Sequence, residues 1–321
     1  MASLKLPEIV PSPTQDTERL RKAFQGLGTN EKELILVLGH RNAQQRKEIK
    51  ETYQKLYNES LIDHLQSELS GDFRNAIILW TYDPSERDAK LAKEALKVKR
   101  KGIKQLQVLV EIACASSPNH LMAVRQAYCS LFDCSLEEDI IASVSQPLTK
   151  LLIGLVSSYR HDKVTVNLEV AKSEAEKLHE AVNNKKLDDD HVVWILCTRN
   201  VFQLRETFAC YKQLYGHTFE EDIQNCGKGD LASLLNVVVW CIECPERHFA
   251  KVVRDSIVGI GTDEDSLNRA IVTRAEIDLS KARFEYANMY KSSIDDDVIG
   301  DTSGDYREFL LTLLGKGPKG D

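Results

Sequence analysis

The apolar positions of this chain recur with the period of helices, and they recur in the same order four times. In the first stretch Leu20, Phe24 and Leu27 fall at i, i+4 and i+7, the spacing that lines one face of an amphipathic helix. Asn30 followed by Glu33 reads as a capping box. It opens a short helix that is apolar nearly all round from Leu34 to Leu38, and such a helix must lie inside. Ile49, Tyr53, Leu56 and Tyr57 form the stripe of a third helix. Leu61, Ile62, Leu65 and Leu69 form a fourth, and Phe73, Ile77 and Trp80 a fifth. Alternating β-branched runs are few, so the pattern predicts an all-α fold.

Three anchors fix the register. Tyr53, Tyr128, Tyr211 and Tyr286 are separated by steps of 75, 83 and 75 residues. The same steps relate Arg41, Ser116, Arg199 and Arg274, and again Ser70, Ser145, Lys228 and Ser303. One supersecondary unit is therefore used four times. Asp83-Pro84 and Cys244-Pro245 close units, because proline cannot continue a helix and restricts the residue before it. Tyr159 to Leu168, eight residues longer than its counterparts, joins the second and third units. The expected boundaries are a short head over 1–15 and units over 16–84, 85–160, 168–244 and 245–316.

Two loops carry chemistry. They read Phe24-Gln25-Gly26-Leu27-Gly28-Thr29 and Ile257-Val258-Gly259-Ile260-Gly261-Thr262, and each is followed by an acid at one distance. Glu68 lies 42 residues after Gly26, and Asp301 lies 42 after Gly259. Glycine tolerates the positive φ that turns carbonyls outwards. Ca²⁺ takes about 6–8 oxygens, mixing carbonyls, carboxylates and water. Three loop carbonyls and one bidentate carboxylate supply about five, leaving positions open for an oxygen of a partner. A single G-x-G-T is more often a capping turn; two of them with the acid at equal offset point to a cation.

This motif resembles that of the annexins. With Gly39-His40-Arg41-Asn42-Ala43 and Ile78-Leu79-Trp80-Thr81-Tyr82-Asp83-Pro84-Ser85-Glu86-Arg87-Asp88, nearly the whole chain resembles the plant branch of that family. The resemblance implies four repeats of five helices, each a right-handed superhelical bundle, forming a curved disc. It implies Ca²⁺ ligands from the carbonyls of Phe24, Gly26 and Gly28 with Glu68, and of Ile257, Gly259 and Gly261 with Asp301. Weaker second sites would pair Thr29 with Glu31 and Thr262 with Glu264, acids that also suit a helix N-terminus. The register puts Lys101, Ile103 and Ser143, then Asn184, Lys186 and Cys226, at the corresponding positions of units two and three, so those units are not expected to bind this way. Leu27 and Ile260 at the loop tips are expected to contact the membrane, each gaining about 1.5–3 kcal/mol if fully buried in the headgroup–acyl boundary. Plant relatives often have tryptophan at the first tip, where this chain has Leu27.

The same resemblance matches Asp88, Glu111 and Arg274 to a polar hub discussed as an ion path; the residues themselves read better as a buried ion-pair cluster. His40 matches a position linked to suggested peroxidase activity, and Cys114 and Cys241 match positions linked to redox roles. As residues they read as a structural histidine and buried helix cysteines.

Composition narrows the partners. Across 321 residues the formal net charge is −7, which argues against nucleic acid and against direct attraction to an anionic membrane. Calcium would mediate that attraction. Eight cysteines in a chain this long point to a reducing compartment, and neither a secretory start nor an apolar run of about 18 residues is visible. Gly227-Lys228 and Gly315-Lys316 lack the spacing of a phosphate-binding loop. The expectation is a cytoplasmic protein without enzymatic activity that binds anionic phospholipid membranes peripherally when calcium rises. The rivals are ion conductance and a minor peroxidase-like or nucleotide-hydrolysing activity. Self-association on membranes is compatible with this reading, and cytoskeletal contact is not readable from the residues. A basic cluster, Lys97, Lys99, Arg100, Lys101 and Lys104, stands at the missing loop of unit two, and Lys185 and Lys186 at that of unit three.

Overall fold

The structure is a computed structural model that describes residues 1–26, 28–98, 102–227, 229–259 and 261–317. Among these residues the regular structure is twenty α-helices, five to a repeat, with no strand. Repeat 1 contains α1 (Pro13–Ala23), α2 (Glu31–Leu38), α3 (Ala43–Tyr57), α4 (Leu61–Glu68) and α5 (Gly71–Thr81). Repeat 2 contains α6 (Pro84–Lys97), α7 (Ile103–Cys114), α8 (Pro118–Phe132), α9 (Leu136–Ser143) and α10 (Leu148–Ser157). Repeat 3 contains α11 (Leu168–Asn183), α12 (Asp190–Thr198), α13 (Val201–Tyr215), α14 (Phe219–Cys226) and α15 (Asp230–Glu243). Repeat 4 contains α16 (Pro245–Ile257), α17 (Glu264–Arg274), α18 (Leu279–Tyr290), α19 (Ile294–Asp301) and α20 (Gly304–Leu313).

Caps define the helix starts. Reciprocal capping boxes open α1 at Ser12 and Gln15, α3 at Asn42 and Gln45, and α9 at Ser135 and Glu138. The box expected at Asn30 is only half made. Asn30 Oδ1 accepts from the Glu33 N–H at 3.2 Å. The Glu33 carboxylate instead takes Arg19 at 2.6 Å, because the Asn30 N–H already donates to the Ala23 carbonyl. The apolar α2 is buried as its pattern requires, with Leu34, Val37 and Leu38 fully enclosed.

The chain divides into two compact units. One is Met1–Arg87 with Glu246–Asp321, holding repeats 1 and 4; the other is Asp88–Pro245, holding repeats 2 and 3. In the first, α5 packs on α17 and α20, and α2 on α20. Phe73 meets Phe309 edge to face at 5.9 Å within this core. The N-terminal residues are tied down there too, since the Ser3 N–H donates to the Ala275 carbonyl at 2.9 Å and its hydroxyl to that of Leu313. In the second unit α7 packs on α15 and α10, and α10 on α12.

The register anchors have physical roles. Arg41 forks onto Asp16 on α1 at 2.6 and 2.7 Å, and in repeat 3 Arg199 takes the corresponding Glu174 on α11 at 2.5 Å. Repeat 4 has Phe249 where those acids stand; Arg274 lies 4.5 Å over its ring and forks onto Asp278 instead. Repeat 2 has lost both partners, with Leu91 and Ser116 in their places. Each tyrosine anchor is fully buried and reaches the residue eleven positions on. Tyr128, Tyr211 and Tyr286 donate to Asp139, Asp222 and Asp297, while Tyr53 Oη lies 2.6 Å from His64 Nδ1.

Candidate metal centre

In repeats 1 and 4 the first helix ends in a loop whose backbone only glycine adopts comfortably. Gly26 and Gly28 sit at φ +124° and +89°, and Gly259 and Gly261 at +139° and +82°. Nothing lies within 4 Å of a Cβ built on any of them, so the requirement comes from backbone conformation and not from space. The same hydrogen bond closes the base of both loops. The Asn30 N–H donates to Ala23 at 2.8 Å, and the Asp263 N–H to Ser256 at 2.7 Å. Among the described residues, the carbonyls of Phe24, Gly26, Gly28, Ile257, Gly259 and Gly261 accept no backbone hydrogen bond. Among the described residues they are oxygen donors without a backbone partner.

The acids arrive from the fourth helix of each repeat. Glu68 and Asp301 are the last residues of α4 and α19, and both are exposed. In repeat 4 the Thr262 hydroxyl donates to Asp301 Oδ2 at 2.6 Å, so the loop and its acid are in contact. Glu31 and Glu264 open α2 and α17 directly after the loops. All four acids, with Asp72 and Asp305 from the first turns of α5 and α20, line one cleft of about 440 Å³. Tyr306 lines it as well. Burial first, then the charges of Asp72 and Glu264, push its phenol well above the usual range.

These residues fit a hard cation. The donors are all oxygen, as Ca²⁺ prefers. Among the described residues no three His, Cys, Asp or Glu side chains converge to hold a metal by themselves. A cation here relies on the carbonyls, with one carboxylate per loop. The sequence pattern did not reveal the ring of His64, which stacks on Phe24 at 4.1 Å and so ties α4 to the start of the first loop. Nor did it single out Val258, 55% exposed beside the fourth loop; an aliphatic next to a glycine was the available signal. Thr29 is half-buried. The tips Leu27 and Ile260 lie outside the described residues, as do Lys99, Arg100 and Lys101.

Repeats 2 and 3 are built differently. Ile103 is the first residue of α7, and the Ser143 hydroxyl turns back to the Asp139 carbonyl at 2.6 Å. In repeat 3 Asn184 is the C-cap of α11, and the Cys226 thiol donates to the Val182 carbonyl at 3.6 Å. Lys97 pairs with Glu94 on its own helix. Asp88 accepts from His120 Nε2 at 2.7 Å in the second unit, whereas Arg274 takes Asp278 in the first. His40 is buried, with Nδ1 at 3.1 Å from the Leu36 carbonyl, and burial pushes its pKa down. Cys114 and Cys241 are buried on α7 and α15.

Comparison with known proteins places this architecture. The annexin family model matches residues 15–80, 87–155, 173–238 and 248–313. The chain is 57% identical to Annexin D3 of Arabidopsis thaliana, over 98% of this chain and 99% of that protein. Its fold superposes on the solved structure of annexin III with a TM-score of 0.91 at 32% identity, covering 98% of this chain and 97% of the other. A calcium-bound annexin (Sm)1 structure matches with a TM-score of 0.84 at 29% identity, covering 99% and 97%.

Proposed function

The chain belongs to the annexin family, most like the plant annexins, and from that premise we propose that it binds anionic phospholipid membranes through Ca²⁺ held by its first and fourth loops. Calcium-dependent phospholipid binding in general goes with the family and the fold. The observation that carries the specific reading is the fourth loop, where the carbonyls of Ile257, Gly259 and Gly261 accept no backbone hydrogen bond among the described residues and the acid Asp301 is held at 2.6 Å by Thr262. Phe24, Gly26 and Gly28 with Glu68 form the equivalent set. Each set leaves Ca²⁺ coordination positions open, and phosphate or carboxyl oxygens of lipid fill them. Calcium and lipid then raise each other's affinity by the same factor.

The six acids of the shared cleft concentrate negative potential at the two loops and draw in divalent cations. The same field repels an anionic surface until the cations arrive, and this makes the binding conditional. Glu31 with Thr29 and Glu264 with Thr262 serve as weaker second positions. Leu27 and Ile260 dip into the headgroup–acyl boundary, with Val258 joining the second of them. Among the described residues no helix is long and apolar enough to cross a membrane, and the association is peripheral, on the cytosolic face. The role is binding, not catalysis. Co-sedimentation with phosphatidylserine vesicles tests it: the protein pellets in calcium and stays in the supernatant in chelator. Equal pelleting in both conditions overturns the bridging mechanism.

A further inference from the structure

In the second unit a buried arginine, with no carboxylate in ion-pair distance among the described residues, lines a pocket. Arg160 is 5% exposed and comes from the long connection between α10 and α11. Its Nη1 donates to the Arg199 carbonyl at 2.6 Å and its Nη2 to that of Leu196 at 2.5 Å. Among the described residues no carboxylate lies within ion-pair distance of it. Buried charges are ordinarily paired. It also reaches the Cys114 thiol, and these partners still leave guanidinium N–H groups over, because arginine carries five donors.

The pocket measures about 330 Å³, at the small end of the range for ligand sites, about 300–1,000 Å³. It opens where repeat 2 has Ser116 in place of the arginine of the other repeats, so a small side chain leaves room that a large one fills elsewhere. A second guanidinium, Arg205 on α13, stands exposed at the rim. Its Nε donates to the Ile242 carbonyl at 2.8 Å, and it too has no carboxylate within ion-pair distance among the described residues. Leu121, Pro118, Val201 and Phe202 supply apolar wall. The Cys114 thiol borders the space, and burial pushes its pKa up even beside Arg160, so a thiolate does not balance that charge. Asp162 is the acid among the lining residues, exposed at the edge.

We propose that this pocket is a binding site for a small amphipathic carboxylate, its head against Arg160 and Arg205 and its short apolar body over Leu121 and Phe202. The guanidinium fork matches a carboxylate geometrically. The apolar wall discriminates against a bare inorganic anion, and the two cations discriminate against an amine. The site lies in repeats 2 and 3, so it is independent of the calcium loops and operates in chelator.

Titration calorimetry of the full chain in chelator with octanoate, octanol, octylammonium and inorganic phosphate tests the assignment. Octanoate is expected to bind at one site, with octanol, octylammonium and phosphate each at least about tenfold weaker. Arg205→Gln, at an exposed position, weakens octanoate roughly fivefold or more, and Asp162→Asn strengthens it. Arg160→Gln abolishes binding, with circular dichroism melting to confirm that the variant is folded. The proposal is overturned if octanoate shows no saturable binding, if octanol binds as tightly, or if Arg205→Gln binds octanoate like the unaltered chain.

Discussion

The thiol of Cys226 donates across 3.6 Å to the carbonyl of Val182, and these two residues hold the register positions of Glu68 and Phe24. Repeat 3 thus brings the end of its fourth helix against the carbonyl that opens its first connection. In repeat 3 a thiol proton joins the two positions; in repeat 4 the acid accepts from Thr262 of the loop, and among the described residues the carbonyls of Phe24 and Ile257 accept no backbone hydrogen bond. Cys226→Asp sets two acceptors against each other at neutral pH, and an unsatisfied buried or half-buried polar group costs about 1–3 kcal/mol. Melting in chelator should fall by several degrees. Calcium should not restore it, because Asn184 and Lys186 replace the glycines and Lys186 adds a like charge. Cys226→Ser keeps a donor and should melt close to the unaltered chain. Recovery of Cys226→Asp in calcium would mean that the acid alone makes the site.

The two acids should carry the calcium dependence together. Glu68→Gln and Asp301→Asn each remove the one formal charge of a loop while leaving its shape. Each single change is expected to raise the calcium needed for half-maximal vesicle pelleting by roughly tenfold at its loop, about 1.4 kcal/mol, and the double change to remove the response. Ser143→Ala should leave the calcium curve unmoved, since that hydroxyl is spent on the Asp139 carbonyl. Unaltered pelleting by the double variant would exclude these ligands.

Backbone strain gives a separate handle on the same loops. Gly261 sits at φ +82° with open space around it, so alanine there meets no clash but must hold a left-handed conformation costing about 1–2 kcal/mol. Gly261→Ala should therefore shift the melting temperature down by roughly 2–8 °C and raise the calcium requirement, as the carbonyl of residue 261 relaxes away. Gly229→Ala, at φ −77° before α15, serves as the comparison and should change neither. A Gly261→Ala protein with an unaltered calcium curve would show that this carbonyl is not a ligand.

Much of this architecture is legible in the sequence alone. Helical periodicity at Leu20 and Phe24, and at Ile49 and Tyr53, together with the 75-83-75 register, gave twenty helices in four sets because helix faces are written locally in sequence. The loops were legible for the same reason, glycine spacing being a backbone instruction. Contacts between distant elements were not. The stacking of His64 on Phe24, the pairing of Arg41 with Asp16 and the convergence of Glu31, Glu68, Glu264 and Asp301 on one cleft depend on tertiary packing, which no single-sequence spacing encodes. The half-made capping box at Asn30 failed similarly, since Arg19 on the neighbouring helix outcompeted a local donor for Glu33.

Stability should depend on pH through a histidine that the fold keeps neutral. His248 on α16 is buried, and its pKa is pushed down to about 3, first by burial and then by the positive charges of Arg274 and Lys251. Unfolded, it titrates near 6.5, like any exposed histidine. Between these values the unfolded chain binds a proton that the folded chain refuses, so stability rises with pH and levels off above about 6.5. One such group contributes a slope of up to about 1.4 kcal/mol per pH unit. His40, also pushed down by burial, adds to the slope in the same direction. The carboxylates act lower on the scale. Burial opposes ionisation of Asp297, but Tyr286, Ser292 and Arg254 outweigh it and hold its pKa below the usual range; its contribution is lost only below about pH 4. Urea unfolding at pH 5 and pH 7 therefore isolates the histidines. His248→Gln should shrink the difference in midpoint between the two pH values while leaving the acid limb below pH 4 in place. An unchanged difference would mean that His248 takes up its proton inside the folded chain.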